Sequence, residues 1–465
     1  MAKTLEISHV PPFADSPDSL TDFSLPLTFS DTYWFKFPPV ERLFFYSLPQ
    51  PKPTFLISTL PKLKHTLSLT LRHFLPLAGN LTWPPDSPIP IVLYTQNDGV
   101  SFTVAESDAA DDFDLLSGDH VREAALFHPF IPKLNVTETR ASVLALQITL
   151  FPDRGFSVGV TCHHAFLDGK STTMFMKAWA HICRSEQPVL PPELTPFFDR
   201  SVIRDPDGLD SFYVKQWLAL TGITSKDDDP NLFQFLPSLK VPSDFVRATF
   251  QLTRADIAKL REKVLSSWDK PEKLRLTSFA VTYSYIALCT LRATEDDFEA
   301  GKKNKFLLGF TADFRNRLKP AVPENYFGNC VGPVVNYGDL IKTLRESADK
   351  EPLTVVAAEV NELMKKLGED VMEGAAEEFL KLRGEFKEKT VGAGVAGSPR
   401  FGVYEMDFGW GRPEKVEIVS VDRTGAMALA ESRDGSGGIE IGVVFRKHQM
   451  DVFSSLFHAG LENHV

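Results

Sequence analysis

His163 and His164 stand side by side, and Asp168 follows four residues after the second. Histidine is the side chain whose unperturbed pKa lies nearest neutral pH, so it suits general base catalysis. A carboxylate at His-x-x-x-Asp spacing can orient the ring, as in a catalytic triad, or brace the turn that carries it. Cys162 immediately precedes the pair and is a potential nucleophile. Neighbours in an alternating strand point to opposite faces, however, which separates Cys162 from His163. The His-x-x-x-Asp spacing belongs to His164, the candidate base; neighbours at a strand end face different ways, so His163 is expected to be scaffolding.

A strand must deliver this pair and a helix must leave it. Phe156 to Cys162 alternates as a strand does, and Ser171 to Cys183 reads as a helix. Leu144 to Leu150 and Gly155 to Cys162 read as a hairpin turning at Pro152-Asp153-Arg154-Gly155. Upstream, residues 1–25 are polar and rich in Pro and Ser, and the fold is expected to begin at Leu25-Pro26-Leu27. Phe44-Phe45-Tyr46 reads as a buried strand, and Phe55 to Leu75 as a helix ended by Pro76 to Asn80. Ile91 to Tyr94 and Val100 to Val104 read as a second hairpin around Asn97-Asp98-Gly99. Downstream, strands are expected at Arg247–Leu252, Lys305–Ala312, Lys415–Val421, Ala426–Glu431 and Gly438–Phe445. Helices are expected at Ser211–Leu220, Ala255–Leu265, Ser278–Leu291, Leu353–Lys366, Val371–Lys387 and Gln449–Gly460.

The chain has 465 residues, enough for two domains. The expected division is 1–190, a Pro- and Asp-rich crossover at 191–245, and 246–465. Hydrophobic residues make up 43% and charged residues 24%, as in a globular protein with a substantial core. Thirty-seven Phe fit a large core and an apolar channel. A net charge of −11 argues against nucleic acid and against an anionic membrane surface as partners. The four cysteines form no Cys-x-x-Cys pair, which points to free thiols in a reducing compartment. The N-terminus lacks a signal-peptide pattern and no segment approaches a membrane span, so a cytoplasmic location is expected.

Three segments in order carry a resemblance: His164-Ala165-Phe166-Leu167-Asp168-Gly169, Tyr326-Phe327-Gly328-Asn329-Cys330 and Asp407-Phe408-Gly409-Trp410-Gly411. Together they resemble the plant BAHD acyl-CoA-dependent acyltransferases, in the branch that acylates flavonoid, anthocyanin and other phenolic glycosides. The resemblance implies a mixed-sheet α/β fold like that of chloramphenicol acetyltransferase. It has two similar-sized domains and a channel at their interface. It also implies a monomer that holds no metal and no bound cofactor. The co-substrate is an acyl-CoA, malonyl-CoA foremost, and the acceptor is a hydroxyl of a phenolic glycoside.

The resemblance assigns His164 as the lone base and turns Asp168 away from it, into a structural pair with Arg315. Asp407, Phe408, Gly409, Trp410 and Gly411 form a structural turn away from the reacting atoms. On the CoA side, Thr277, Ser278 and Phe279 open a helix whose free N–H groups suit phosphate or pantetheine. Gly397, Ser398, Pro399 and Arg400 form a turn that resembles the family's CoA-contacting loop. Tyr33, Trp34 and Phe35 are the acceptor-side candidates. The oxyanion donor is unassigned, a Trp, Asn or Thr side chain by resemblance. A malonyl carboxylate requires an Arg or Lys beside the acyl pocket; Lys170 is close in sequence, but no Arg follows Asp168 directly. Hydroxycinnamoyl donors, and a non-catalytic relative that binds acyl-CoA or phenolics, are the alternatives.

Overall fold

The computed structural model describes residues 2–16, 20–107, 112–223, 232–236, 241–268, 276–368, 370–385 and 390–462. Its largest sheet has six strands, in the order Ala2–Val10, Val100–Ser107, Leu144–Phe151, Gly155–Cys162, Val40–Ser47 and Lys415–Ile418. Leu144–Phe151 and Gly155–Cys162 are buried along their whole length. One face packs on helices, and the other on a small aromatic cluster with Leu43, Phe45, Phe113 and Phe151. These two strands pair from Phe151↔Gly155 to Leu144↔Cys162, the hairpin expected from their alternation.

The helix Leu60–His73 lays Leu60, Leu63, Leu67 and Leu71 along one buried stripe, as a 3.6-residue repeat dictates. It packs on the helix Gly169–Ser185, where Trp179 donates from Nε1 to Thr66 Oγ1 at 3.2 Å. Its end comes at Phe74, and Leu75–Ala78 forms a separate short turn around Pro76.

A second core is built on a five-stranded sheet ordered Val395–Gly397, Met427–Glu431, Ile439–Arg446, Phe245–Leu252 and Arg122–Glu123. The helix Ser278–Ala293 is buried on nearly every side because the helices Arg254–Ser266, Pro352–Lys366 and Lys447–Glu462 all pack against it. Smaller sheets complete the fold, one of them ordered Val331–Asn336, Lys305–Asp313 and Thr390–Ala393.

The halves exchange strands. Lys415–Ile418, late in the chain, is the edge strand beside Val40–Ser47 in the first sheet. Arg122–Glu123, early in the chain, lies at the edge of the second sheet. Between these edges Glu417 accepts from Arg247 at 2.9 Å and from Arg122 at 3.1 Å. Burial raises the Glu417 carboxyl, but Arg247, Lys415 and Arg122 outweigh it and hold the pKa down to about 2.

Three expectations are corrected. Ile91–Tyr94 and Val100–Ser107 are not a hairpin: the first pairs with Phe23–Pro26 and Asn80–Thr82, the second with Ala2–Val10 and Leu144–Phe151. Asp98 closes the intervening turn by accepting from Thr95 N at 2.8 Å and Thr95 Oγ1 at 2.9 Å. A turn signal specifies the reversal, whereas burial decides which sheet each strand joins. The fold also begins well before Leu25, because Ala2–Val10 is an edge strand. Most of its side chains are exposed, so its sequence lacks an apolar pattern, and backbone bonds to Val100–Ser107 define it. Finally, the helix expected at Val371–Lys387 spans Ala375–Glu385; 386–389 lie outside the described residues, as do 224–231 and 237–240 of the crossover.

Candidate active site

Where Gly155–Cys162 ends, the chain turns tightly: His163 N donates to Val143 O at 2.9 Å, and Phe166 N donates to His163 O at 3.1 Å. His163 is buried, and its Nδ1 accepts from Ala165 N at 3.1 Å, so its ring is part of the turn. Burial, with the neighbouring His164 and Lys36, pushes it down to about 3. Cys162 is buried beneath the helix, and burial pushes its thiol up to about 12, far from a nucleophilic thiolate.

The His164 ring stacks on Trp34 with centroids 4.2 Å apart and planes 5° from parallel, and the Phe37 edge lies at 6.2 Å. Burial between these rings pushes His164 down to about 4; its own carbonyl and Asp168 oppose the shift, and Arg42 adds to it. The ring is therefore neutral at pH 7, the form that accepts a proton. Nδ1 is sealed without a partner. Nε2 is not sealed and has no protein partner among the described residues, so it is the nitrogen open to a substrate.

Asp168 points away from this ring. It caps the helix Gly169–Ser185, accepting from Ser171 N at 2.8 Å, and also accepts from Cys330 N at 3.1 Å. Arg315 Nη1 lies 2.9 Å from Asp168 Oδ2, the oxygen that Cys330 N also meets, with both side chains out of water. Burial alone raises the Asp168 carboxyl, but Arg315 and these donors hold it below the usual carboxylate range. The group is thus a fixed anion that braces the loop.

Tyr326 to Cys330 has contacts that its sequence did not disclose. Gly328 N donates to Ser171 Oγ at 3.1 Å, and Gly328 O accepts from Arg315 at 3.1 Å. Asn329 Nδ2 donates to the His164 carbonyl at 2.8 Å and to Asp31 at 3.1 Å. The segment therefore clamps the His164 loop to the turn that carries Trp34. Gly328 has φ +152, and a Cβ there would fall 2.0 Å from Arg200 Nη1, so only glycine fits. Ser171, Asp31 and Arg200 were not candidates in the sequence, since none of them forms a chemical pattern at short spacing, and Asn329 entered only as part of the Tyr326–Cys330 marker, with no role assigned.

The other candidates divide. Trp34 touches His164, whereas Tyr33 packs on Tyr213 and Phe379, and Phe35 on Trp83 and Phe233. Thr277 uses its hydroxyl to cap Ser278–Ala293, accepting from Ala280 N at 3.1 Å; Ser278 accepts from Arg261 at 3.3 Å; and Phe279 stacks on Tyr283. Gly397 lines a narrow cavity of about 30 Å³ between the two sheets, together with Arg42, Phe401, Ile418 and Leu429. Ser398 and Pro399 continue that turn to the exposed Arg400, whose N–H donates to Ser398 Oγ at 3.2 Å. The Asp407–Gly411 turn stands at the far end of Gly169–Ser185, where Phe408 packs on Trp179 at 4.9 Å.

The profile of the Transferase family matches residues 10–459. The chain is 41% identical to phenolic glucoside malonyltransferase 1 of Arabidopsis thaliana, over 99% of this chain and 98% of that protein. It is 42% identical to the malonyl-CoA:anthocyanidin 5-O-glucoside-6''-O-malonyltransferase of the same plant, over 96% of each. Among solved structures, vinorine synthase superposes with a TM-score of 0.68, at 22% identity and 98% coverage of both chains.

Proposed function

This chain belongs to the Transferase family, the BAHD acyltransferases, and on that premise we propose that it moves a malonyl group from malonyl-CoA to a hydroxyl of a phenolic or flavonoid glycoside. The observation that carries the chemistry is the neutral His164, its Nε2 unpartnered, on a loop that Asp168, Arg315 and Asn329 hold still.

In this reading Nε2 takes the acceptor hydroxyl proton as the oxygen attacks the thioester carbonyl. The tetrahedral intermediate then collapses: the carbon–sulfur bond breaks, and His164 returns the proton to the departing CoA sulfur. The products are the ester and free CoA. A positioned base contributes ~10²–10⁴-fold, and holding both substrates in one channel adds a proximity term. Trp34 offers the acceptor a flat apolar wall beside the base, and the Gly397–Arg400 turn meets the CoA arm. Residues 1–190 and 246–465 supply the two halves of the channel.

Purified protein given malonyl-CoA and a flavonoid glucoside is expected to release free CoA and a malonylated product seen by mass. A donor-by-acceptor matrix decides among the alternatives. Turnover confined to hydroxycinnamoyl-CoA overturns the malonyl assignment, and tight binding without turnover of any donor makes the protein a non-catalytic relative.

A further inference from the structure

Five arginines are buried among the described residues, and four of them meet a carboxylate. Arg122 and Arg247 lie 3.1 and 2.9 Å from Glu417, Arg315 lies 2.9 Å from Asp168, and Arg200 lies 3.9 Å from Asp31. The fifth, Arg42, is 3% exposed and has no carboxylate within ion-pair distance. Its one hydrogen bond runs from Nη1 to Thr173 Oγ1 at 3.1 Å, and its Nε is sealed without a partner. A buried guanidinium left without an anion is costly, so its retention needs a reason.

Its surroundings supply one. Arg42 lies in Val40–Ser47 opposite Val160 and Ile418, under the first turns of Gly169–Ser185. Its Cζ stands 5.9 Å from the Phe401 ring centroid. A Cβ on Gly169 would fall 2.9 Å from Arg42 Nη2 and 2.8 Å from Phe401, so the glycine after Asp168 makes room for both. Arg42 lines the 30 Å³ cavity that Gly397 also borders. A single water needs ~10–15 Å³ of such space, so the cavity excludes an aromatic ring. Glu417 and Glu440 also line it, but each is already met by arginine, Glu417 by Arg122 and Arg247 and Glu440 by Arg433, which leaves Arg42 as the uncommitted cation there. Arg42 is also close enough to His164 to disfavour its protonated form. Lys170, the cation nearest the base in sequence, is engaged by Glu324 and by Asp313 at 3.7 Å.

We propose that Arg42 binds the free carboxylate of the acyl group, and so selects donors ending in a carboxylate over neutral ones. The inference rests on the malonyl reading above. In malonyl-CoA the carboxylate is one methylene from the thioester carbonyl, which must lie beside the base. The CoA phosphates lie at the far end of the pantetheine arm, away from it. A planar fork of N–H donors matches a carboxylate in two bonds. Binding also neutralises Arg42, which relieves its effect on His164 and makes the ring a stronger base when the donor is present.

The test is kcat/KM for malonyl-CoA and for acetyl-CoA, with one acceptor, in wild type, Arg42→Met and Arg42→Lys. The malonyl-to-acetyl ratio is expected to fall at least ~10²-fold in Arg42→Met, as for truncation of a buried charge pair. Arg42→Lys is expected to fall between, since it keeps the charge without the fork. Equal losses for both donors overturn the proposal and place Arg42 on the CoA arm or in the fold. If Arg42→Met does not fold by circular dichroism, the ratio in Arg42→Lys decides in the same way. A wild type that favours neutral or aromatic donors overturns the malonyl reading and this one with it. A wild type that favours malonyl-CoA, with variants that keep that preference, overturns only the role of Arg42.

Discussion

In the Asp407–Gly411 turn the polar groups close on one another. Asp407 accepts from Gly409 N at 2.7 Å and from Gly411 N at 3.0 Å. Phe408 and Trp410 pack on Tyr46 and Phe156, and Gly409 and Gly411 take φ of +102 and +111 that other residues resist. The His163–Gly169 loop is held as firmly, by Asp168, Arg315 and Asn329, but it leaves groups unspent: sealed nitrogens on His163 and His164, and an open Nε2 on His164. Both segments are equally recognisable as motifs. The difference between them is that a turn with satisfied donors and acceptors builds shape, whereas a rigid loop with unsatisfied ones has capacity left for a substrate.

The largest effect that would break this comparison is catalytic. His164→Ala is expected to lose at least ~10²-fold in turnover with an unchanged melting temperature; near-normal turnover removes the base assignment. Second comes Asp168→Ala, which strands Arg315 out of water and is expected to cost ~3–5 kcal/mol in urea denaturation. If instead its activity vanishes at full stability, Asp168 belongs to the chemistry and not to the brace. Adding Arg315→Met to that variant is expected to recover part of the stability, because the unpaired charge is then gone.

Asp407→Ala tests the other region. Losing its turn bonds is expected to cost about 1 kcal/mol in the same denaturation experiment, with the pH–rate profile unmoved. A displaced profile would tie this turn to the base. The smallest effect lies in stability near neutral pH. His163 and His164 sit at about 3 and 4 when folded and near the ordinary 6.5 when unfolded. Between those values the unfolded chain binds protons that the folded chain does not, so stability is full above pH 6.5 and falls as pH drops toward 4. The slope of stability against pH should flatten in that window in a His163→Phe, His164→Ala double variant; an unaltered slope would show that neither ring is held neutral.

Much of the local architecture around the site was legible in the residues. Alternation in Phe156–Cys162, the turn at His163 and the apolar spacing from Ser171 onward place His164 between a strand and a helix, because each signal depends on neighbours within a few residues. The clamp was not legible. Tyr326–Cys330 reads as a marker only, and its meaning comes from reaching Ser171, Asp168, the His164 carbonyl and Asp31 at once. Among the aromatics near the N-terminus, adjacency suggested that Tyr33, Trp34 and Phe35 act together. The turn that follows the helix Phe29–Thr32 sends their side chains to different neighbours, and of the three only Trp34 meets His164.

Taken alone, the sequence determined the family, the candidate base and the order of most strands and helices, since motif spacing and periodicity are properties of contiguous chain. The tertiary structure alone decided which strands share a sheet and where, among the described residues, the one buried arginine without a carboxylate lies, and it gives the Asp168–Arg315 pair implied by the resemblance its 2.9 Å geometry out of water. Those outcomes depend on segments hundreds of residues apart converging in a space that excludes water. Only there does an unpaired charge, or a neutral histidine, acquire its chemical meaning.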